Sequence, residues 1–136
     1  MSLFFEKKIF VPFHLGDPAG ILFFAHLFSL SHEVYEFFIQ EKLHICCNDW
    51  FHHSQWAVPI KSSNSIYYLP MKVGLYYFVR LSVIQIGRTS FVLRYQFFKE
   101  CLLHGQVETV HVFCERSSFK KMAIPSFIQQ NLSLFI

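Results

Sequence analysis

Apolar and polar positions alternate along most of this chain, and one long stretch breaks the alternation. Between about Ala25 and Glu41 the polar residues Ser29, Glu33, Glu36 and Gln40 fall at i, i+4, i+7 and i+11, a narrow stripe. Leu27, Phe28, Leu30, Val34, Tyr35, Phe37 and Phe38 fill most of the remaining circumference, which predicts a helix wrapped by protein on most sides. Ahead of it, Phe4 to Phe13 reads as a strand of aromatic and β-branched residues around Lys7-Lys8, with Pro12 at its end or at a sheet edge. Residues 44–56 have no clear period and read as a connector with room for one short helical turn. The second half alternates with period two through Ile60–Leu69, Leu75–Ile86, Thr89–Lys99 and Gln106–Arg116. Turns are expected at Pro70–Gly74, Gly87-Arg88 and Glu100–Gly105. Four successive strands with short connections predict an antiparallel meander, and Pro125 opens a short closing helix. The order is strand, long helix, then at least four antiparallel strands. This predicts an α+β domain in which one curved sheet wraps a single helix.

The joint before the helix carries the chemistry. Asp17-Pro18-Ala19-Gly20-Ile21-Leu22-Phe23-Phe24 places one carboxylate immediately before a Pro-x-Gly turn that leads into the helix. The first turn of a helix has backbone N–H groups without internal partners, and these hold a developing negative charge. An acid beside such donors suits hydrolysis; the same Asp-Pro pair also suits a simple turn or cap.

Composition narrows the class. The 136 residues fit one domain, 1–136, and hydrophobic residues make up 53% against 15% charged. That balance, with 18 Phe, points to apolar surface buried between subunits. The richest apolar run, Ala19 to Leu30, is interrupted by His26 and Ser29 and falls short of the roughly 18–20 apolar residues of a membrane helix. The first residues, Met1-Ser2-Leu3-Phe4-Phe5-Glu6-Lys7-Lys8, place charge after the apolar positions and predict no signal peptide. Cys46, Cys47, Cys101 and Cys114 show no framework spacing, so a reduced, cytoplasmic protein is expected. A net charge of +3, without basic runs beyond Lys7-Lys8 and Lys120-Lys121, argues against nucleic acid and leaves room for a phosphorylated small molecule. The His44, Cys46, Cys47, His52, His53 cluster lacks zinc-ligand spacing, so no metal is expected.

Three motifs, in this order, resemble the hotdog-fold acyl-CoA thioesterases of the 4-hydroxybenzoyl-CoA thioesterase family. The turn Asp17-Pro18-Ala19-Gly20 before the central helix is the first. Tyr67, Pro70 and Gly74, in a Tyr-x-x-Pro-x-x-x-Gly pattern joining two strands, are the second. Ile124-Pro125 followed by Phe127, Ile128 and Leu132 is the third. His32-Glu33 and Tyr35-Glu36 look closest to the branch that includes 1,4-dihydroxy-2-naphthoyl-CoA hydrolases. Two positions depart from the family pattern, Leu15 and Leu75, where acids are common.

The resemblance implies a hotdog fold, an antiparallel curved sheet of about five strands around one long helix. It implies hydrolysis of an aromatic acyl-CoA of the hydroxybenzoyl or dihydroxynaphthoyl type, with water as co-substrate, CoA as part of the substrate and no cofactor. Asp17 is then the nucleophile or general base, the Phe24 backbone N–H the oxyanion donor, and Gly20 the residue that lets substrate approach. His26, His32, Glu33 and Ser63 are candidates for acyl contact, and Arg88, Thr89 and Ser90 for the CoA phosphates. A homo-oligomer, dimer or tetramer, is implied as well. The alternatives are a short-chain acyl-CoA or acyl-carrier-protein thioesterase on the same fold, or a non-catalytic acyl-CoA binder.

Overall fold

The computed structural model describes residues 3–136; the N-terminal reading at Met1-Ser2 lies outside the described residues. In chain order the elements are β1 (Phe5–Phe10), α1 (His26–Glu41), α2 (Cys47–Phe51), β2 (Trp56–Ala57), β3 (Ile60–Tyr67), β4 (Tyr76–Ile86), β5 (Ser90–Lys99), β6 (Leu102–Val112), β7 (Cys114–Glu115) and α3 (Ser126–Ser133). Five strands form one antiparallel sheet in the order β1-β4-β5-β6-β3, and β2 pairs with β7 in a separate two-stranded ribbon. The hotdog arrangement expected from the sequence is present, with α1 against the sheet.

One part of the expected topology is corrected. β4, β5 and β6 form the predicted meander, but β3 does not pair with β4, its neighbour in sequence. It pairs with β6 on the far edge, Ser63 opposite Thr109 and Tyr67 opposite Gly105. The place beside β4 is taken by β1, which runs from Phe5 opposite Leu81 to Phe10 opposite Tyr76. The segment from Tyr68 to Leu75 therefore crosses the end of the sheet, which a tight hairpin would not do. It is held there by Tyr68 and Leu69 N–H groups on the His104 carbonyl and by the Lys72 N–H on the Tyr77 hydroxyl.

The turn between β5 and β6 is also shorter than expected. Only Glu100 and Cys101 make it, both with positive φ (51° and 64°), the geometry of a two-residue hairpin usually built from Asn and Gly. Gly105, expected to close the turn, instead lies inside β6. A Cβ there would lie 3.4 Å from Leu27 Cδ2 on α1 and 3.5 Å from Met71 Sδ, ordinary contact distances, so the strand backbone at Gly105 packs close under the helix. Register shifts at Ile60/Ser62, Val83/Gln85 and Phe97/Phe98 bend the sheet around that helix.

The core is aromatic and lies between α1 and the concave sheet face. Leu27, Leu30, Val34, Tyr35, Phe38 and Ile39 of α1 are buried against Val79, Leu81, Leu93, Tyr95, Phe97 and Val107. Phe38 sits between Phe5 (5.9 Å between ring centroids) and Phe135 (5.1 Å, edge-on), which ties α1 to the first strand and to the closing segment after α3. Trp50 of α2 donates its Nε1–H to the Tyr35 hydroxyl at 2.8 Å, pinning the connector to the helix. The polar stripe faces outward as the spacing predicts, with Ser29, Glu33 and Gln40 exposed. Replacing Phe38 by Ala removes the ring on which both ends of the chain pack. Urea unfolding is expected to show a loss of about 3–5 kcal/mol.

Candidate active site

The Asp17 stretch folds as a tight hairpin of its own and not as the first turn of α1. Gly16 bridges Leu22 in antiparallel fashion, the Asp17 N–H donates to the Ile21 carbonyl at 2.8 Å, and the Gly20 N–H to the Asp17 carbonyl at 3.0 Å. Gly20 has φ +77°, in the left-handed region that favours glycine, and open space lies where a Cβ would project. Inside this loop Asp17 Oδ1 accepts from the Ala19 N–H at 2.9 Å and the Ile21 N–H at 3.2 Å. The carboxylate is thus oriented by its own loop, and Oδ2 has no hydrogen-bond partner among the described residues.

The hairpin is docked rigidly. The Leu22 N–H donates to the Met71 carbonyl at 2.7 Å, the Val73 N–H to the Gly20 carbonyl, and the Phe23 N–H to the Leu15 carbonyl at 2.9 Å. Leu15 and Leu75, where related sequences often carry acids, pack against the core beside it. Between hairpin and helix the chain passes through Phe23, Phe24 and Ala25. Among the described residues none accepts a hydrogen bond from the Phe24 N–H, and the helix N-cap, Ala25, has no side chain that caps the first turn.

Tyr67, at the end of β3, completes this end of the site. Its hydroxyl donates to the Phe24 carbonyl, 43 residues away in sequence. Burial pushes the phenol up to about 12, so it stays protonated and remains a donor. The contact joins the second motif to the first. Phe24, Tyr67, Pro70 and Met71 then line an open hollow of about 340 Å³ beside the hairpin.

A second hollow of about 320 Å³ opens further along the groove between α1 and β3, walled by Phe28 and Ile60 and lined by His32, Ser63, Tyr95 and Thr109. His32 is oriented by Glu36, with Nδ1 3.0 Å from its carboxylate oxygen, and by the edge of Tyr35. His26 is half-buried beside the Phe23 ring (5.8 Å) and lines neither hollow; Glu33 is exposed on the outer stripe and lines neither.

The CoA candidates do not join these groups within one chain. Arg88, Thr89 and Ser90 form the β4–β5 turn, whereas the Asp17 hairpin sits against residues 71–75 at the other end of β4. β4 spans 11 residues, so about 30 Å of strand separates them. Arg88 is exposed, and the backbone carbonyls of Arg88 and Thr89 tie the turn to Ile124 and Phe113. His44, Cys46, Cys47, His52 and His53 are scattered around α2. Among the described residues no group of three or more His, Cys, Asp or Glu side chains stands together to hold a metal ion.

Polar side chains on the core face of β6 were not read from the sequence as part of a site. Thr109 (6% exposed) and His111 (0%) occupy positions where the period-two pattern from Val107 calls for apolar residues, and that break in the pattern is the signal for them. Thr109 Oγ1 and His111 Nε2 are 2.7 Å apart, and the His111 ring stacks on Phe91 at 4.8 Å and 3°. Burial, and secondarily the charge of His32, lower the His111 pKa to about 3.

Comparison with known proteins agrees with the fold. The chain matches the Thioesterase-like superfamily over residues 11–132. A 1,4-dihydroxy-2-naphthoyl-CoA hydrolase of Prochlorococcus marinus is 31% identical over 121 residues, 84% of this chain and 77% of the relative. One from Crocosphaera subtropica is 30% identical over 118 residues, 87% of this chain and 80% of the relative. Among solved structures, a 1,4-dihydroxy-2-naphthoyl-CoA thioesterase from Synechocystis superposes with a TM-score of 0.87 at 21% identity, covering 96% of both chains. A gentisyl-coenzyme A thioesterase superposes with a TM-score of 0.82 at 20% identity, covering 94% of this chain and 98% of that one. The chain belongs to the thioesterase-like superfamily. It is a thioester hydrolase on the hotdog fold.

Two measurements follow from the site geometry. Tyr67→Phe removes the tether on the Phe24 peptide without changing the hollow. Steady-state kinetics are expected to show kcat lowered by roughly 3- to 30-fold, the equivalent of one hydrogen bond, with KM little changed. For His111 the unfolded imidazole titrates near 6.5 and the folded one near 3. Below pH 6.5 the unfolded chain binds a proton that the folded chain does not. This contribution to stability is therefore complete above about pH 6.5 and declines toward pH 3, by up to about 1.4 kcal/mol per pH unit. Urea unfolding as a function of pH is expected to show that slope in the wild type and a flatter one in His111→Leu.

Proposed function

We propose that this protein is an acyl-CoA thioesterase that hydrolyses an aromatic acyl-CoA, with Asp17 as its catalytic carboxylate. The observation that carries the reading is the pinned hairpin. It leaves Oδ2 of Asp17 without a partner among the described residues and runs on to a Phe24 N–H that is available as an oxyanion donor. The relatives named for 1,4-dihydroxy-2-naphthoyl-CoA hydrolysis favour a hydroxylated aromatic acyl group of that type. In the reaction the thioester carbon–sulfur bond breaks, CoA leaves as the thiol, and the acyl group gains the oxygen of water. Asp17 either attacks the carbonyl carbon and forms an anhydride that water then opens, or takes a proton from the attacking water. The Phe24 N–H stabilises the oxyanion in both routes. No metal or cofactor enters either route.

The working unit in this reading is a homo-oligomer in the cytoplasm, a dimer or a pair of dimers. β3 is an edge strand with nearly every residue exposed, and pairing it with the β3 of a second copy extends the sheet and covers that edge. Antiparallel pairing brings one copy's β4–β5 turn toward the other copy's Asp17 end. Arg88, with Thr89 and Ser90, then meets the CoA phosphates of a thioester held by the partner.

Release of free thiol from 4-hydroxybenzoyl-CoA and 1,4-dihydroxy-2-naphthoyl-CoA tests the activity. The wild type is expected to turn over at least one of them, and Asp17→Asn to lower kcat by about 100-fold or more. Complementation tests the shared site. Asp17→Asn and Arg88→Ala chains, each impaired alone, are expected to regain activity when co-expressed, because a mixed pair contains one site with both wild-type residues. Activity of the mixture no greater than the sum of its parts would place Arg88 outside the shared site.

A further inference from the structure

The groove between α1 and β3 ends in a hollow whose floor is more polar than its position requires. Phe28 and Ile60 wall it with apolar surface, as a flat ring needs. Beneath them lie Tyr95 (1% exposed) and Thr109 (6% exposed), and behind Thr109 lies the fully buried His111. Three buried polar side chains on one sheet face cost stability unless their hydrogen bonds are satisfied.

The protonation of His111 follows from its surroundings. Its Nδ1 is buried and has no partner among the described residues, whereas Nε2 lies 2.7 Å from Thr109 Oγ1. A proton on Nδ1 would be a buried donor without an acceptor, which costs more than a bare ring nitrogen. A charged ring would place a proton on both nitrogens and incur the same cost. The neutral tautomer with Nε2–H therefore prevails, and Nε2–H donates to Thr109 Oγ1. Thr109, having accepted, still has its own O–H to donate. Its neighbour is Tyr95, whose phenol burial keeps protonated, so a proton chain from His111 through Thr109 and Tyr95 ends in a hydroxyl that must donate into the hollow.

We propose that this hollow is a specificity site for a ring hydroxyl, in which Tyr95 donates to an oxygen on the aromatic acyl group and Thr109 and His111 are the positioning residues behind it. It rests on the thioesterase reading above and specifies which acyl groups that site accepts. The volume, about 320 Å³, is room for one or two fused rings. Ser63, directly opposite Thr109 across the β3–β6 pair, and the His32 imidazole provide acceptors for the proton of the same hydroxyl. An acyl group without that oxygen leaves the end of the chain unpaired against the ring. A site built to bond a hydroxyl rejects the analogue that lacks it far more strongly than an apolar pocket rejects an added one.

The test compares kcat/KM for two matched pairs, 4-hydroxybenzoyl-CoA against benzoyl-CoA and 1,4-dihydroxy-2-naphthoyl-CoA against 2-naphthoyl-CoA. The comparison is made on the wild type, Thr109→Val and Tyr95→Phe. The wild type is expected to prefer the hydroxylated member of at least one pair by about 100-fold or more, and both variants to reduce that ratio at least tenfold. Equal hydrolysis of both members of both pairs by the wild type overturns the proposal and leaves the thioesterase reading intact. If the variants lose both rates in proportion, so that the ratio survives, Thr109 and Tyr95 are structural and the proposal is overturned. Absence of hydrolysis with all four thioesters removes the aromatic thioesterase reading and this proposal with it. A free-acid control covers a variant that folds poorly. Binding of 4-hydroxybenzoate or 1,4-dihydroxy-2-naphthoate, but not of the unsubstituted acids, by folded wild-type protein supports the proposal, and indiscriminate binding of the acids opposes it.

Discussion

The burial of one face of α1, from Leu27 to Ile39, against the sheet is the constraint to which the rest of the structure answers. The wrapping on most sides expected from the narrow polar stripe is not seen in the single chain, where Phe37 is exposed, but a flat sheet would not follow even that one face. The sheet therefore bends at three register shifts and packs its backbone close at Gly105, where Leu27 of the helix approaches the strand. The Phe38 ring, held between Phe5 and Phe135, joins the first strand, the helix and the last segment in one aromatic contact. Once the helix is fixed this firmly, its N-terminus is fixed too, and the backbone donor at Phe24 is placed by the core and not by any residue at the site.

Around that N–H the chain uses backbone geometry to hold its candidate groups still. The Asp17 carboxylate is oriented by two N–H groups of its own turn, and the hairpin is tied to residues 71–73 by further main-chain bonds. Tyr67 reaches from the end of β3 to the Phe24 carbonyl, so the strand that crosses to the far edge of the sheet also clamps the loop before the helix. Groups held this way do not have to reorganise when charge develops nearby. The cost appears on β6, where Thr109 and His111 interrupt an otherwise apolar face.

Much of the fold was legible because its signals are local. The helix period, the outward stripe of Ser29, Glu33 and Gln40, the β4–β5 hairpin at Gly87-Arg88 and the Asp17 turn each depend on residues close together in sequence. The errors came where local signals mislead. Gly105 looks like a turn residue and serves packing, while Glu100 and Cys101 make a turn without carrying its usual residues. β3 looks like the first strand of a meander, yet nothing in its own alternation says which neighbour it takes.

The sequence by itself therefore determined the main elements, the class of fold and the turn that carries the candidate acid, while the short β2–β7 ribbon escaped it. The reason is that periodicity and turn chemistry are properties of stretches longer than two residues and shorter than a sheet. Only the tertiary structure decided which groups meet. It put Tyr67 on Phe24, set Ser63 opposite Thr109 with His111 behind, and left Arg88 about 30 Å of strand away from Asp17. Each of these follows from strand order, and strand order is settled by how the whole sheet closes around α1, not by any one segment.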